Sequence, residues 1–134
     1  MKPFQLSRNL LDMGGQFYPR GHIVAMFPTK EAAEGAARAL AGVGVAGDDV
    51  SLIPPEVMLG EITHTIGNSG SGLPSAGTEA DTTRRFAQYA SQGHHALLIR
   101  SPDSAHQEQL MDVLRDHQVS HAQRYGRLVI EDLA

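Results

Sequence analysis

The sequence predicts an α+β fold of the ferredoxin-like type, in which a strand–helix–strand unit occurs twice. Two apolar runs lead to this prediction: GHIVAMFPT at residues 21–29 and GHHALLIRSP at residues 93–102. Each run has glycine in front and proline behind, which is typical of a strand buried on both faces. Two such units combine into a four-stranded antiparallel sheet with both helices on one face. The first and third strands then lie side by side in its centre.

The first unit covers residues 21–55. Thr29 is placed to cap a helix and Gly42 to end it. The small and apolar residues that recur at helical spacing between them are Ala32, Ala33, Ala36, Ala37 and Leu40. A strand over Val50–Ile53 follows and ends at two prolines.

The second unit covers residues 93–134. Ser101 or Asp103 is placed to cap its helix, because proline is tolerated in a first helical turn. The apolar stripe of this helix consists of Leu110, Met111 and Leu114. We expect the closing strand within residues 121–130, with His121 at its start and on the surface.

The remaining residues form an N-terminal extension, 1–20, and an insertion between the two units, 56–92. The extension predicts a short helix around residues 6–13 and a turn at residues 18–21. The insertion holds a loop rich in glycine and serine, followed by a helix over about residues 79–92. Phe86, Ala87 and Ala90 give this helix an apolar face, and Gly93 is placed to end it. The whole chain is expected to form one domain.

The loop at residues 67–81 has the glycine spacing of a phosphate-binding P-loop but not its lysine. Thr78 stands where the lysine would be, and Glu79 follows it. Acidic side chains in the first helical turn complement the helix dipole themselves and repel a phosphate. This pattern therefore favours a flexible surface loop, followed by a helix that caps its own first turn.

Histidines at the starts of the two central strands suggest a metal site. Neighbouring strands lie about 4.8 Å apart, so if these strands run parallel, His22 faces His94 or His95 at one edge of the sheet. Glu56 is expected nearby, and histidines with a carboxylate bind zinc, nickel or copper where no thiolate is present. The same groups could transfer protons. The alternative is a set of hydrogen-bonded edge residues, and nothing in the sequence requires a metal or another cofactor.

A second candidate site is the basic string Arg124-Tyr125-Gly126-Arg127. Arg124 and Arg127 could hold an anionic small molecule, with Tyr125 as a stacking surface. Solvated arginines beside acidic neighbours are the alternative. No nucleophile elbow and no catalytic triad can be identified from spacing, so no catalytic residue is assigned.

Composition limits the expected partners and location. The 134 residues contain 11 Lys and Arg against 15 Asp and Glu, a formal charge of −4, which disfavours nucleic acid and anionic membranes. The chain has no cysteine, which fits a reducing compartment. No run approaches the roughly 18 apolar residues of a membrane span, and the N-terminus lacks a signal peptide pattern. We therefore expect a cytoplasmic protein.

Both central strands are apolar on both faces, so the face without helices also needs a cover. The insertion helix, the N-terminal extension and a second copy of the chain are the candidates. We expect a two-fold dimer that also uses part of the insertion.

The strings DDVSLI and RRFAQYASQGHHALLIR, with the order of elements around them, resemble the bacterial general-stress-protein-like family. The resemblance covers about residues 22–125 and includes no catalytic motif. It implies a small ferredoxin-like domain: a non-catalytic, self-associating module of the stress response that binds a partner or ligand. The alternatives are a small-molecule or metal-binding sensor or carrier, with a pocket near residues 124–127, and a cofactor-free or metal-dependent enzyme.

Overall fold

The computed structural model describes residues 1–67, 77–101, 105–126 and 129–134. These residues form a mixed sheet of six strands with helices around it. The strands are β1 (Lys2–Pro3), β2 (His22–Phe27), β3 (Val50–Ile53), β4 (His95–Arg100), β5 (His121–Tyr125) and β6 (Ile130–Asp132). Their order across the sheet is β1-β3-β4-β2-β5-β6. The α+β class is confirmed. The described sheet is wider than the predicted four strands, because the short strands β1 and β6 extend it at its two edges.

The two central strands, β2 and β4, are hydrogen-bonded neighbours as predicted, but they run antiparallel. His22 pairs with Arg100, and Phe27 pairs with His95. The expectation of parallel strands was wrong for a topological reason. Strand β4 lies between β2 and β3 and runs antiparallel to both of them. Among the described strands, β1 and β3 are the one pair that runs in parallel.

Two helices, α1 (Lys30–Leu40) and α5 (Gln107–Asp116), pack against one face of the sheet and form a core with it. The hydroxyl of Thr29 accepts a hydrogen bond from the Ala32 amide at 3.0 Å, which confirms the predicted cap of α1. Helix α1 passes into a 3₁₀ turn, Ala41–Val43, and Gly44 ends that turn at φ 89°. The backbone therefore turns two residues beyond the predicted Gly42.

Helix α5 begins at Gln107, later than the predicted caps at Ser101 and Asp103. Asp103 itself lies outside the described residues. The apolar stripe is confirmed, because Leu110, Met111 and Leu114 are all buried in the core that α1 shares.

The second face of the sheet is covered by other segments of the same chain. Its core contains sheet residues such as Val24 and Leu98, together with Phe86 and Ala90 of helix α4 (Gly77–Ser91). Gly93, at φ 87°, follows α4 as predicted. The insertion and the extension also contribute, with buried Met58, Ile62, Leu10, Phe17 and Tyr18. Two of the three predicted covers are thus present, and this face gives no further reason to expect a dimer.

The insertion before α4 is helical where it is described. It consists of α2 (Pro55–Val57), a π-helical turn (Met58–Ile62) and α3 (Thr63–Gly67). The predicted P-loop-like segment falls mainly on residues 68–76, which lie outside the described residues. Within the described part of the chain, no helix has the length and apolar character needed to cross a membrane.

The N-terminal extension does not form the predicted helix around residues 6–13. Its helical content is a single 3₁₀ turn, Arg8–Leu10. A carboxylate oxygen of Asp12 accepts hydrogen bonds from the amides of Gly14 and Gln16, both at 2.9 Å, and this local turn competes with a helix. The predicted turn at residues 18–21 is present, with a 3.0 Å hydrogen bond from the His22 amide to the Pro19 carbonyl.

Truncation of Leu114 tests the packing of α5. We expect Leu114→Ala to lower the free energy of unfolding by about 2–5 kcal/mol, because the side chain is fully buried between helix and sheet. Chemical denaturation measures the change. Gln109→Ala, at an exposed position of the same helix, is the control and should stay within about 0.5 kcal/mol of the wild type. Equal effects of the two substitutions would mean that the helix face is wrongly assigned.

Candidate functional site

The four residues predicted to form a metal site do not come together. His22 and His95 lie at opposite ends of the central strand pair, roughly 17 Å apart along the strands. His94 precedes His95. Glu56 follows β3, whose last residue Ile53 pairs with Ala96, so it too belongs to the end away from His22. Among the described residues, no group of three or more His, Asp or Glu side chains could hold a metal ion. The prediction failed because it assumed parallel strands.

The predicted anion site at residues 124–127 is also not formed as expected. Arg124 and Tyr125 are consecutive strand residues, so their side chains point to opposite faces of the sheet. The Arg124 guanidinium is buried and donates hydrogen bonds to the Ser101 hydroxyl at 3.1 Å and the Ser101 carbonyl at 2.5 Å. The Tyr125 ring is fully buried and lies edge-on to Tyr18, with centroids 5.0 Å apart. Arg127 lies outside the described residues.

A cleft of about 210 Å³ lies at the end of the sheet where His22 is found. Residues of the N-terminal extension line one part of it, and the ends of β2, β3 and β4 line the rest. Its charged and titratable lining residues are Lys2, His22, Asp48, Asp49 and Arg100, and its apolar lining includes Pro3, Phe4, Leu10 and Leu98. We call it the edge cleft.

Backbone pairing places the charged residues of the edge cleft. Lys2 pairs with Ser51 across β1 and β3, and Arg100 pairs with His22 across β4 and β2. Asp48 and Asp49 belong to a 3₁₀ turn, Gly47–Asp49, that leads directly into β3. The extension is held in place by buried Leu10 and by Phe4, which packs against the core of the second face. The cleft is therefore built from regular structure on most of its wall.

His22 lines the cleft as a neutral ring with a defined tautomer. Its Nδ1 lies 3.0 Å from the carbonyl oxygen of Arg20, which can only accept, so Nδ1 carries the proton and Nε2 has the lone pair. Burial lowers the pKa of His22, and the positive charges of Arg100 and Lys2 lower it further against the opposing backbone hydrogen bonds. The imidazole thus adds a hydrogen-bond acceptor to the cleft at neutral pH.

Two cations in the edge cleft have no ion-pair partner in the described part of the chain. No described carboxylate comes within 4.0 Å of the Lys2 ammonium or the Arg100 guanidinium. Ser51 also lines the cleft, although it is only 5% exposed. Its hydroxyl makes no hydrogen bond to any described residue. These groups leave charge and hydrogen-bonding capacity available to a ligand.

A different cluster, at the opposite end of the sheet, was missed by the sequence reading. His121 is 5% exposed and not on the surface, because α4 covers it and β6 extends the sheet beside it. Its ring stacks on Tyr89 with centroids 5.5 Å apart and an interplanar angle of 17°, and it also contacts Phe86 at 5.9 Å. The alternation of His121, Gln123 and Tyr125 along β5 was the available signal, since all three share one face.

Burial lowers the pKa of His121. The negative charge of Asp132 opposes this shift, and the positive charge of Arg85 reinforces it. The Asp132 carboxylate lies 4.0 Å from His121 Nδ1. Nε2 of His121 and the Thr83 hydroxyl are buried without a hydrogen-bond partner in the described part of the chain. The stacked rings join α4 to β5, so we interpret this cluster as structural.

No protein-family model, curated protein or solved structure matches this chain. The class of site is therefore defined by geometry alone. It is a small charged cleft at the end of a sheet, sized for a ligand smaller than the drug-like molecules that fill pockets of about 300–1,000 Å³.

The lowered histidine pKa values predict how stability depends on pH. In the unfolded chain a histidine titrates near 6.5, and in the folded protein His121 and His22 titrate lower. Between these values the unfolded state binds more protons, so the free energy of unfolding should fall as pH is lowered from 7.5 toward 5.5. His121→Phe removes the titrating group and keeps an aromatic ring beside Tyr89, so it should reduce this slope.

Urea denaturation at a series of pH values measures the slope. His106→Gln, at an exposed histidine, serves as the control and should leave the slope as in the wild type. An undiminished pH dependence in His121→Phe would contradict the assignment.

Proposed function

We propose that this chain is a non-catalytic regulatory module that binds a small molecule with an anionic group in the edge cleft. The observation that carries the proposal is the convergence of Lys2 and Arg100 on one cleft without a described carboxylate within 4.0 Å of either. A bound carboxylate can accept hydrogen bonds from both side chains. Charge-assisted hydrogen bonds to arginine and lysine are among the stronger polar contacts in proteins.

The fold part of the proposal is the ferredoxin-like arrangement. It is supported by the order of the four inner strands, β3-β4-β2-β5, all paired antiparallel, and by the packing of α1 and α5 in one core. On this proposal, β1 and β6 are additions at the two edges. The strings DDVSLI and RRFAQYASQGHHALLIR support a relationship to the general-stress-protein-like family, and with it a role in the stress response.

Binding is favoured over catalysis by the chemistry of the cleft. His22 lines the cleft, and burial lowers its pKa. Its Nδ1 is engaged by the Arg20 carbonyl. A neutral imidazole beside two cations serves as a hydrogen-bond acceptor for a ligand. A nucleophile at hydrogen-bond distance from its ring would be needed for covalent catalysis, and the described residues provide none.

Self-association is a second candidate, now through an edge of the sheet. A groove of about 450 Å³ lies along β1, with Met1, Pro3, Phe4, Leu52, Pro54 and Val57 in its lining. Its lining is mostly apolar, and β1 offers an unpaired outer edge within the described sheet. We propose that a dimer of this chain would use this edge. Sedimentation at micromolar concentration distinguishes a dimer from a monomer.

A carboxylate probe tests the proposed function. We expect 4-methylpentanoate, a small carboxylate with an apolar tail, to shift backbone NMR signals of residues that line the edge cleft. Arg100→Gln should weaken its affinity by about 10-fold or more, because a hydrogen bond to a charged group contributes roughly 1.5–3 kcal/mol. Arg84→Gln, at an exposed position of α4, is the matched control.

Signal shifts that map elsewhere, or an equal loss of affinity in both variants, would contradict the proposal. Because Arg100 is exposed, its substitution should leave the fold intact, and an unchanged thermal midpoint verifies this.

A further inference from the structure

We infer that the ligand of the edge cleft is a small zwitterion with an apolar side chain, of the class of a free α-amino acid. On this inference, Lys2 and Arg100 bind its carboxylate, and Asp48 and Asp49 bind its ammonium group. The inference rests on the proposed function and names the ligand class for the same cleft.

Side chains of both signs line the edge cleft without forming ion pairs. Lys2 and Arg100 contribute two positive charges, and Asp48 and Asp49 contribute two negative charges. Within the described part of the chain, none of these four belongs to an ion pair with an N–O distance of 4.0 Å or less. A ligand that carries both charges can satisfy both pairs at once.

The formal charge of the lining also discriminates between ligand classes. Two cations, two carboxylates and a neutral His22 sum to zero. A phosphate dianion would approach Asp48 and Asp49 as well as the cations, and a divalent metal ion would approach Lys2 and Arg100 as well as the carboxylates. Both incur repulsion that a neutral zwitterion avoids.

Neutral groups in the cleft also suit a zwitterionic ligand with an apolar side chain. Ser51 is 5% exposed, and its unpartnered hydroxyl can donate to a carboxylate or accept from an ammonium. The Nε2 lone pair of His22 accepts only, so it suits an ammonium donor. Pro3, Phe4 and Leu98 supply apolar contacts for a side chain, and the volume of about 210 Å³ limits that side chain to a few carbons.

Three molecules that share one carbon skeleton separate the two charges of the ligand. L-Leucine has both charges, 4-methylpentanoate has the carboxylate alone, and L-leucinamide has the ammonium alone. We expect L-leucine to bind at least about 10-fold more tightly than either of the others, as measured by NMR titration of the intact chain.

Substitution of the acidic pair assigns the ammonium contact. The double variant Asp48→Asn/Asp49→Asn should bind L-leucine no more tightly than 4-methylpentanoate, while its affinity for 4-methylpentanoate is kept or increased. Asp116→Asn, at an exposed position of α5, is the control and should leave both affinities unchanged. Retained binding of 4-methylpentanoate shows that the double variant is folded.

The outcomes distinguish this inference from the proposed function. Equal affinity for L-leucine and 4-methylpentanoate would overturn the zwitterion inference and leave the anion-binding cleft in place. No binding of L-leucine or 4-methylpentanoate at the cleft would overturn both. Tightest binding of L-leucinamide would overturn both as well, because it would make the cleft a cation site.

Discussion

The antiparallel pairing of β2 and β4 is the constraint on which the rest of the structure depends. Both strands are apolar on both faces, so neither face can remain in water. Helices α1 and α5 bury one face, while α4, the insertion and the N-terminal extension bury the other. The extension therefore has a structural role. It completes the second core and, by running along the sheet to do so, forms part of the wall of the edge cleft.

The same pairing decides which polar residues meet. Because β2 starts where β4 ends, His22 lies beside Arg100 and away from His95. Strand β1 then brings Lys2 to this end, and the turn before β3 brings Asp48 and Asp49. His94 and His121, at the other end, contact the Tyr89 ring of α4. One end of the sheet thus has charges available to a ligand, and at the other end two histidines pack against an aromatic residue of a covering helix.

Much of the fold was accessible from local sequence patterns, and the site was not. Apolar runs, the Thr29 cap and the stripe through Leu114 depend on nearby residues, so their predictions were confirmed. The predicted metal site required the two central strands to run parallel. Because they run antiparallel, His22 and His95 lie at opposite ends of the strand pair. Lys2 joins the cleft through a two-residue strand that has no periodic signal. The alternation along β5 places His121 on the same face as Gln123 and Tyr125, but its burial depends on α4, which is distant in sequence.

Cross-strand nuclear Overhauser effects within the central pair test this account most directly. The antiparallel register predicts contacts that link Ile23 with Ile99 and Ala25 with Leu97, and places the backbone of His22 beside that of Arg100. A NOESY spectrum of the labelled protein in which these contacts appear supports the edge cleft and the charges that line it. Contacts that instead place His22 beside His95 would contradict the strand direction, and with it the site.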